Sequence, residues 1–313
     1  MNKNVPLVAG SFLLAGLGLY LYASRVAARS YRLEKVSVTT YGGGDPGGKD
    51  RSFRILHLSD LHLSYPETGK LDFLEKVTNL DFDFVVITGD VFENFTGIQF
   101  ATSLLKKRPR LGAYAVLGNH DYFNYSMFNK IVGRIHRPLR HPKVYRDVAP
   151  MVEALTRAGY TVLRNQACTH DEGVHVVGID YPGIHPSVLK ELSAQAPDGY
   201  MILNLFHTPK HLREIEKSGA HLALGGHTHG GQIRLPGIGA IITDSELARH
   251  EASGLVRRGD TIFHISRGLS ADPRSNFRLF CPPAATIVEV THKACAQPLA
   301  TTVALGHNAN RQD

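Results

Sequence analysis

The sequence predicts an α/β fold built in layers, and three observations predict it. From about residue 51 onward, apolar runs of strand length alternate with stretches of helical periodicity. These runs end in glycine together with carboxylate, amide or imidazole side chains, as parallel strands do when they deliver ligand-binding groups at their carboxyl ends. The 313 residues are 43% hydrophobic and 20% charged, enough to close a sizeable core.

The elements follow in chain order. Residues 5–23, VPLVAGSFLLAGLGLYLYA, run without a charge for about the length that crosses a bilayer core of roughly 30 Å. An N-terminal transmembrane helix is therefore expected, with residues 1–30 as a membrane anchor. Arg25, Arg29, Arg32 and Lys35 follow the run, against Lys3 before it, which orients the body to the cytoplasmic side of an inner membrane as a single-pass protein. A cleaved signal peptide ending near VAAR, residues 26–29, is the competing reading. RLEKVSVTT then reads as a strand and YGGGDPGGKD as a glycine-rich linker or hairpin, together residues 31–52. The main domain spans 53–292. FRILHLSD is a buried strand, KLDFLEKVTNL a helix, FDFVVITGD a second strand, GIQFATSLLKK a helix and GAYAVLGNHD a third strand. A basic insertion occupies 126–146. The tail, 293–313, has no sustained period and is expected to be disordered.

Charge and cysteine content narrow the chemistry. A net charge of +7 and a pI near 9.3 imply an anionic partner: a phosphate ester, nucleic acid or an acidic membrane surface. Cys168, Cys281 and Cys295 are odd in number and irregularly spaced, forming neither a disulfide framework nor a zinc ribbon.

What the strand ends deliver is more specific. SDLHL places Asp60 and His62, TGD places Asp90, and GNHD places Asn119, His120 and Asp121. MILNLFHTP then places His207, and LALGGHTHG places His227 and His229. Each of these side chains is a metal ligand or a proton-transfer group. In a strand-end loop residues i and i+2 can project to one side, so D-x-H and H-x-H each offer two ligands to one small volume. Gly89, Gly118, Gly225 and Gly226 permit the tight turns this requires. Singly, Asp60 and Asp90 read equally well as turn carboxylates and His207 as a core histidine; the ordered set is what distinguishes them.

This ordered set resembles the calcineurin-like metallophosphoesterase superfamily over about residues 53–292. The resemblance implies a four-layer α/β/β/α sandwich. It also implies that Asp60, His62, Asp90 and His229 hold one metal ion and that Asp90, Asn119, His207 and His227 hold another, with Asp90 bridging. His120, and Asn119 beside it, would be catalytic, His120 matching the non-ligand histidine that assists the leaving group; Asp121 would orient it. Two divalent ions outweigh the charges of Asp60 and Asp90, so an anionic phosphoester is attracted and water activated there can attack phosphorus. Mixed N and O ligands suit manganese, iron or zinc better than calcium. Manganese is expected, because members with this ligand set use it.

GHTHGGQIRLPGIGA, SRGL and CPPAATIVEV are similar to the branch that contains YkuE-type phosphoesterases and the chlamydial-type UDP-2,3-diacylglucosamine pyrophosphatase. That branch implies hydrolysis of the pyrophosphate of UDP-2,3-diacylglucosamine to lipid X and UMP, in lipid A biosynthesis. The alternative is a membrane-associated phosphodiesterase or phosphatase acting on another envelope phospholipid, a glycerophosphodiester or a cyclic nucleotide. The expected partners are thus a phosphorylated lipid or sugar-nucleotide substrate and a membrane. Nucleic acid is disfavoured, since the chain has no aromatic-rich platform for single strands. A non-enzymatic scaffold should have lost ligands, and none is missing. Arg134, Arg137 and Arg140, interleaved with Ile131, Val132, Ile135 and Leu139, are candidates to meet the substrate at an anionic lipid surface, with a solvated basic face as the alternative.

Overall fold

The computed structural model describes residues 5–42, 48–65, 67–125, 144–273 and 275–294. The elements are α1 (Val5–Leu21), β1 (Arg32–Tyr41), β2 (Arg51–Leu58), α2 (Thr68–Thr78), β3 (Phe84–Thr88), β4 (Gly112–Val116), the short α3 (Asn119–Tyr122), β5 (Phe123–Asn124) and β6 (Val144–Tyr145). They continue with α4 (Ala149–Arg157), β7 (Thr161–Val162), β8 (Gln166–His170), β9 (Val174–Gly178), α5 (Pro186–Ser193), β10 (Met201–Leu205) and α6 (Leu212–Lys217). Last come β11 (Leu222–Gly225), β12 (Arg234–Leu235), β13 (Gly239–Ala240), β14 (Gly254–Arg258), β15 (Thr261–Ile265) and β16 (Ala284–Lys293).

Twelve of these strands make two six-stranded sheets, ordered β1-β16-β2-β3-β4-β7 and β14-β15-β11-β10-β9-β8. Side-chain alternation along each strand decides how they stack. Phe53, Ile55, Phe84, Val86, Tyr114 and Val116 of the first sheet share one apolar cluster with Val174, Val176, Met201, Leu203, Leu205, Leu222 and Leu224 of the second. The alternate residues Leu56, Leu58, Val85, Ile87, Ala113 and Ala115 point the other way and pack with Leu74 and Val77 of α2 and Met151 and Leu155 of α4. On the far side of the second sheet, Val177, Ala223, Phe263 and Ile265 pack with Leu189 of α5 and with Leu212 and Ile215 of α6. Three clusters thus separate helices, sheet, sheet and helices. One polar stitch crosses the inner cluster: His57 meets His264 at 2.9 Å and Thr88 Oγ1 at 2.8 Å, and burial pushes both imidazoles below their ordinary range.

The sequence set β1 before the main domain. The structure pairs it in parallel with β16 from Arg32 opposite Ala284 to Tyr41 opposite Lys293. GIQFATSLLKK, expected as a helix, lies mostly in a 3₁₀ segment, Phe95–Ser103, whose start is capped by Asn94 accepting from Gly97 N.

The N-terminal expectation is overturned. Among the described residues no helix is long and apolar enough to cross a membrane. α1 has 17 residues, a rise of about 25 Å against a bilayer core of about 30 Å. The hydropathy run counted on to Ala23, but at Tyr22 the backbone opens into a π turn ending at Val26 and then a 3₁₀ turn over Ala27–Arg29. Ala23, Ser24, Ala27 and Ala28 are buried, and the Ala23 carbonyl accepts from Arg278 N at 3.0 Å. The end of the run therefore packs against the body, and neither the transmembrane helix nor the single-pass inner-membrane placement drawn from it holds.

Leu203 is fully buried between the two sheets. Leu203→Ala should lower unfolding stability by about 2–5 kcal/mol in a denaturant titration; a loss under about 1 kcal/mol would mean the sheets are not packed through this cluster.

Candidate metal centre

The loops that leave β2, β3, β4, β10 and β11 converge at one end of the two sheets. Asp60 and His62 follow β2, Asp90 follows β3, and Asn119 and His120 open α3 just after β4. From the second sheet, His207 follows β10 and His227 and His229 follow β11. The turns are severe. Asp60, His62, Asp90, His227 and His229 all have positive φ, five of the eleven such non-glycine residues among those described. Left-handed backbone at a side-chain-bearing residue costs of order 1–3 kcal/mol and persists where its surroundings over-determine it. Glycines admit the close approaches: a Cβ at Gly226 would lie 1.9 Å from Ser59 Oγ and 2.7 Å from Asp60 Oδ2, and one at Gly118 would lie 2.3 Å from Asp90 Oδ1.

Three groups of possible ligands result among the described residues; two of them meet at Asp90, and the third, His62, Glu93 and His120, shares His62 with the first. In Asp60, His62, Asp90 and His229, one donor atom from each lies within 4.8 Å of the others, as is true of Asp90, His207 and His227. His62 Nε2 is 3.7 Å and His207 Nε2 is 3.2 Å from Asp90 Oδ2, and His229 Nε2 is 3.6 Å from Asp60 Oδ1. Asn119 Oδ1 joins the second group at 3.0 Å from His207 Nε2, and His227 Nδ1 stands 3.3 Å from the same nitrogen.

The rings are oriented from behind. His207 Nδ1 donates to the Thr88 carbonyl at 2.8 Å and His229 Nδ1 to the Ser270 carbonyl at 2.7 Å. Because a carbonyl can only accept, each Nδ1 carries a proton and each Nε2 faces the cluster, that of His207 donating to Asn119 Oδ1 beside Asp90 Oδ2. His62 Nδ1 is likewise held by Glu93 Oε2 at 2.8 Å, while its buried Nε2 has no hydrogen-bond partner. A buried, orphaned imidazole nitrogen aimed among carboxylates is what a cation would satisfy. With its cradle of glycines and its Asp, His and Asn donors, the cluster suits a dinuclear divalent metal site.

Electrostatics divide the donors: Asp90 holds His207 protonated until a cation displaces its proton, whereas His227 and His229 are neutral. Burial pushes the Asp90 carboxyl up, but His207 and His120 outweigh it and hold it well below the usual carboxylate range. Burial pushes His207 down, and Asp90 more than reverses this, lifting it to about 9. Burial holds His227 and His229 at about 4, neutral as metal ligands must be.

Several supporting residues escaped the sequence reading. Glu93 Oε2 accepts from both His62 Nδ1 and, at 3.2 Å, His120 Nδ1, tying a ligand to the histidine expected to assist the leaving group. Burial raises the Glu93 carboxyl, and the bonds from His120 and His62 outweigh it and bring it to about 2. Its signal was present: Glu93 stands three residues after Asp90 in GDVFENF. Asp121, expected to orient His120, instead ties loops together, accepting from Val91 N, Phe92 N and Gly118 N. Burial and the nearby Asp90 raise it to about 6. Arg146, read as part of the basic insertion, is buried and donates to the His120 carbonyl at 2.9 Å and to Asn124 Oδ1. Arg278, wholly buried, donates to the carbonyls of His229, Arg267, Gly268, Ser270 and Cys281. Arg134, Arg137 and Arg140 lie outside the described residues.

The family model for calcineurin-like phosphoesterases matches residues 53–231. Among curated proteins, the metallophosphoesterase YkuE of Bacillus subtilis is 28% identical over 292 residues, covering 90% of this chain and 92% of that protein. YkoQ of the same organism is 26% identical over 258 residues, 80% of this chain and 87% of that one. The UDP-2,3-diacylglucosamine pyrophosphatase LpxG of Chlamydia muridarum is 27% identical over 279 residues, 77% of this chain and 84% of that one.

Glu93→Gln should leave the fold intact and slow turnover of a phosphodiester by about 10- to 100-fold, since the ring of His62 and that of His120 both lose their carboxylate. Steady-state kinetics beside a thermal melt decide it; wild-type turnover would show that Glu93 positions neither ring.

Proposed function

The chain belongs to the calcineurin-like phosphoesterase family and is a phosphoester hydrolase, and on that premise we propose how its residues divide the work. Asp60, His62, Asp90 and His229 hold one ion; Asp90, Asn119, His207 and His227 hold the other. The observation that carries this division is the intersection of the two donor groups at Asp90, beside the orphaned His62 Nε2. When bound, the ions polarise the phosphoryl oxygens and activate the attacking water. Manganese fits the mixed nitrogen and oxygen donors, as iron and zinc do. His120 handles the proton of the departing oxygen. Its ring is fixed by Glu93 at Nδ1 and packed edge-on against His62, centroids 4.7 Å apart, so the imidazole is held beside the ions without being spent as a ligand. Arg146 fixes the peptide that bears it.

The finer reading is a lipid-linked phosphoester, and specifically the pyrophosphate of UDP-2,3-diacylglucosamine. The LpxG relative supports it by name and by coverage along most of both chains. Exposed apolar side chains on the loops beyond the ligands support an amphiphilic substrate: Tyr65 after His62, Phe95 after Asp90, and Ile238, Ile241 and Ile242 after His229. A phosphodiester without acyl chains is the second reading, since the same donor set would act on it unchanged.

Purified protein with Mn²⁺ should hydrolyse UDP-2,3-diacylglucosamine well above bis-p-nitrophenyl phosphate, cyclic AMP and single-stranded DNA; a preference for a soluble diester would select the second reading. Asp90→Ala should release metal and abolish activity, whereas His120→Ala should retain two ions and lose about 10²- to 10⁴-fold in turnover. Elemental analysis of both variants checks this, and two ions retained without Asp90 would contradict the shared-ligand assignment.

A further inference from the structure

Three buried cations, Lys70, Arg146 and Arg278, flank the ligand loops, and Lys70 has no part in the chemistry described so far. Lys70 sits in α2 with its ammonium almost fully buried, 3% exposed. It donates to the Leu61 carbonyl at 3.0 Å and to Ser270 Oγ at 2.6 Å, and pairs with Glu67 Oε2 at 2.9 Å. Both neutral partners belong to ligand-bearing structure. Leu61 is the middle residue of Asp60-Leu61-His62, whose flanking residues both have positive φ. Ser270 reaches the other ligands of the same group: its amide donates to the Asp60 carbonyl at 2.9 Å, and its carbonyl accepts His229 Nδ1 at 2.7 Å. Its hydroxyl also donates to the Leu61 carbonyl at 2.6 Å. Asp60, His62 and His229 are therefore linked through two residues that the Lys70 ammonium grips at once. No such bond runs from Lys70 to Asn119, His207 or His227 among the described residues.

We infer that Lys70 is a positioning residue for one of the two ions, the one assigned to Asp60, His62, Asp90 and His229, and that it does little for the other. A buried ammonium bonds a peptide carbonyl more strongly than a neutral donor does, which suits a loop whose two ligands sit in strained backbone. The inference rests on the two-ion reading above.

The test is a Co²⁺ titration of metal-free full-length protein, read by visible absorption and by equilibrium dialysis, for the wild type, Lys70→Met, Lys70→Arg and Ser270→Ala. Wild type should bind two ions. Lys70→Met should bind one ion as tightly as wild type and the second about 10- to 100-fold more weakly, in line with other supporting residues around metal ligands. Lys70→Arg should recover part of the loss, and Ser270→Ala, which removes one of the two links, should fall between. Thermal melts of the metal-free forms separate positioning from folding. Two ions bound by Lys70→Met with wild-type affinity would overturn the inference, and so would equal weakening of both ions. A wild type that binds a single ion would instead remove the two-ion reading, and this inference with it.

Discussion

Asp60 and Asp90 are buried carboxylates, 0% and 1% exposed, and among the described residues neither forms an ion pair with lysine or arginine. An ionised carboxylate cut off from water is expensive unless it is paired, hydrogen-bonded or bound to a metal. The structure around them is organised to meet that demand. Ser59 Oγ and the amide of His227 donate to Asp60, and the amide of His120 donates to Asp90 at 2.7 Å. The remaining neighbours are imidazoles whose Nδ1 protons are directed to the Thr88 and Ser270 carbonyls and to Glu93, while His207 Nε2 stands 3.2 Å from Asp90 Oδ2. Hydrogen bonds alone leave two negative charges and one orphaned ring nitrogen in the centre, which is the deficit a pair of divalent cations fills.

The two-sheet architecture places the deficit. Asp60, His62, Asp90 and Asn119 come from the first sheet; His207, His227 and His229 come from the second. Each proposed ion would thus take donors from both sheets, so metal binding and sheet packing would be linked: whatever separates the sheets would dismantle both groups, and bound metal would hold them together. The apolar cluster between the sheets and the His57–His264 contact beneath the loops secure the same spacing in the protein itself. Strained φ at five ligands is tolerable because these loops are short, glycine-relieved and bonded across the seam.

Much of this was legible before the fold was known, and the reasons differ by residue. Asp60, His62, Asp90, Asn119, His207, His227 and His229 could be read because each follows an apolar run directly, and a strand end fixes where its next residues go. Lys70, Ser270 and Arg278 could not, because their role depends on which carbonyls a distant chain segment presents, and no spacing in the sequence encodes that. Arg146 fell within the basic insertion, whereas its position after β6 turns it inward to the His120 carbonyl. The N-terminal run misled because hydropathy counts residues and not backbone: Tyr22 and Ala23 are apolar enough to extend a spanning helix, yet they leave α-helical geometry and Ala23 packs beside Arg278.

The central claim is that Asp90 is shared between two ions. Anomalous X-ray diffraction at the manganese edge, from crystals of the protein grown with Mn²⁺, tests it most directly. Two anomalous peaks about 3.5–4 Å apart are expected, one beside Asp60, His62 and His229, the other beside Asn119, His207 and His227, with the Asp90 carboxylate between them. A single peak, or two peaks of which only one touches Asp90, would contradict it.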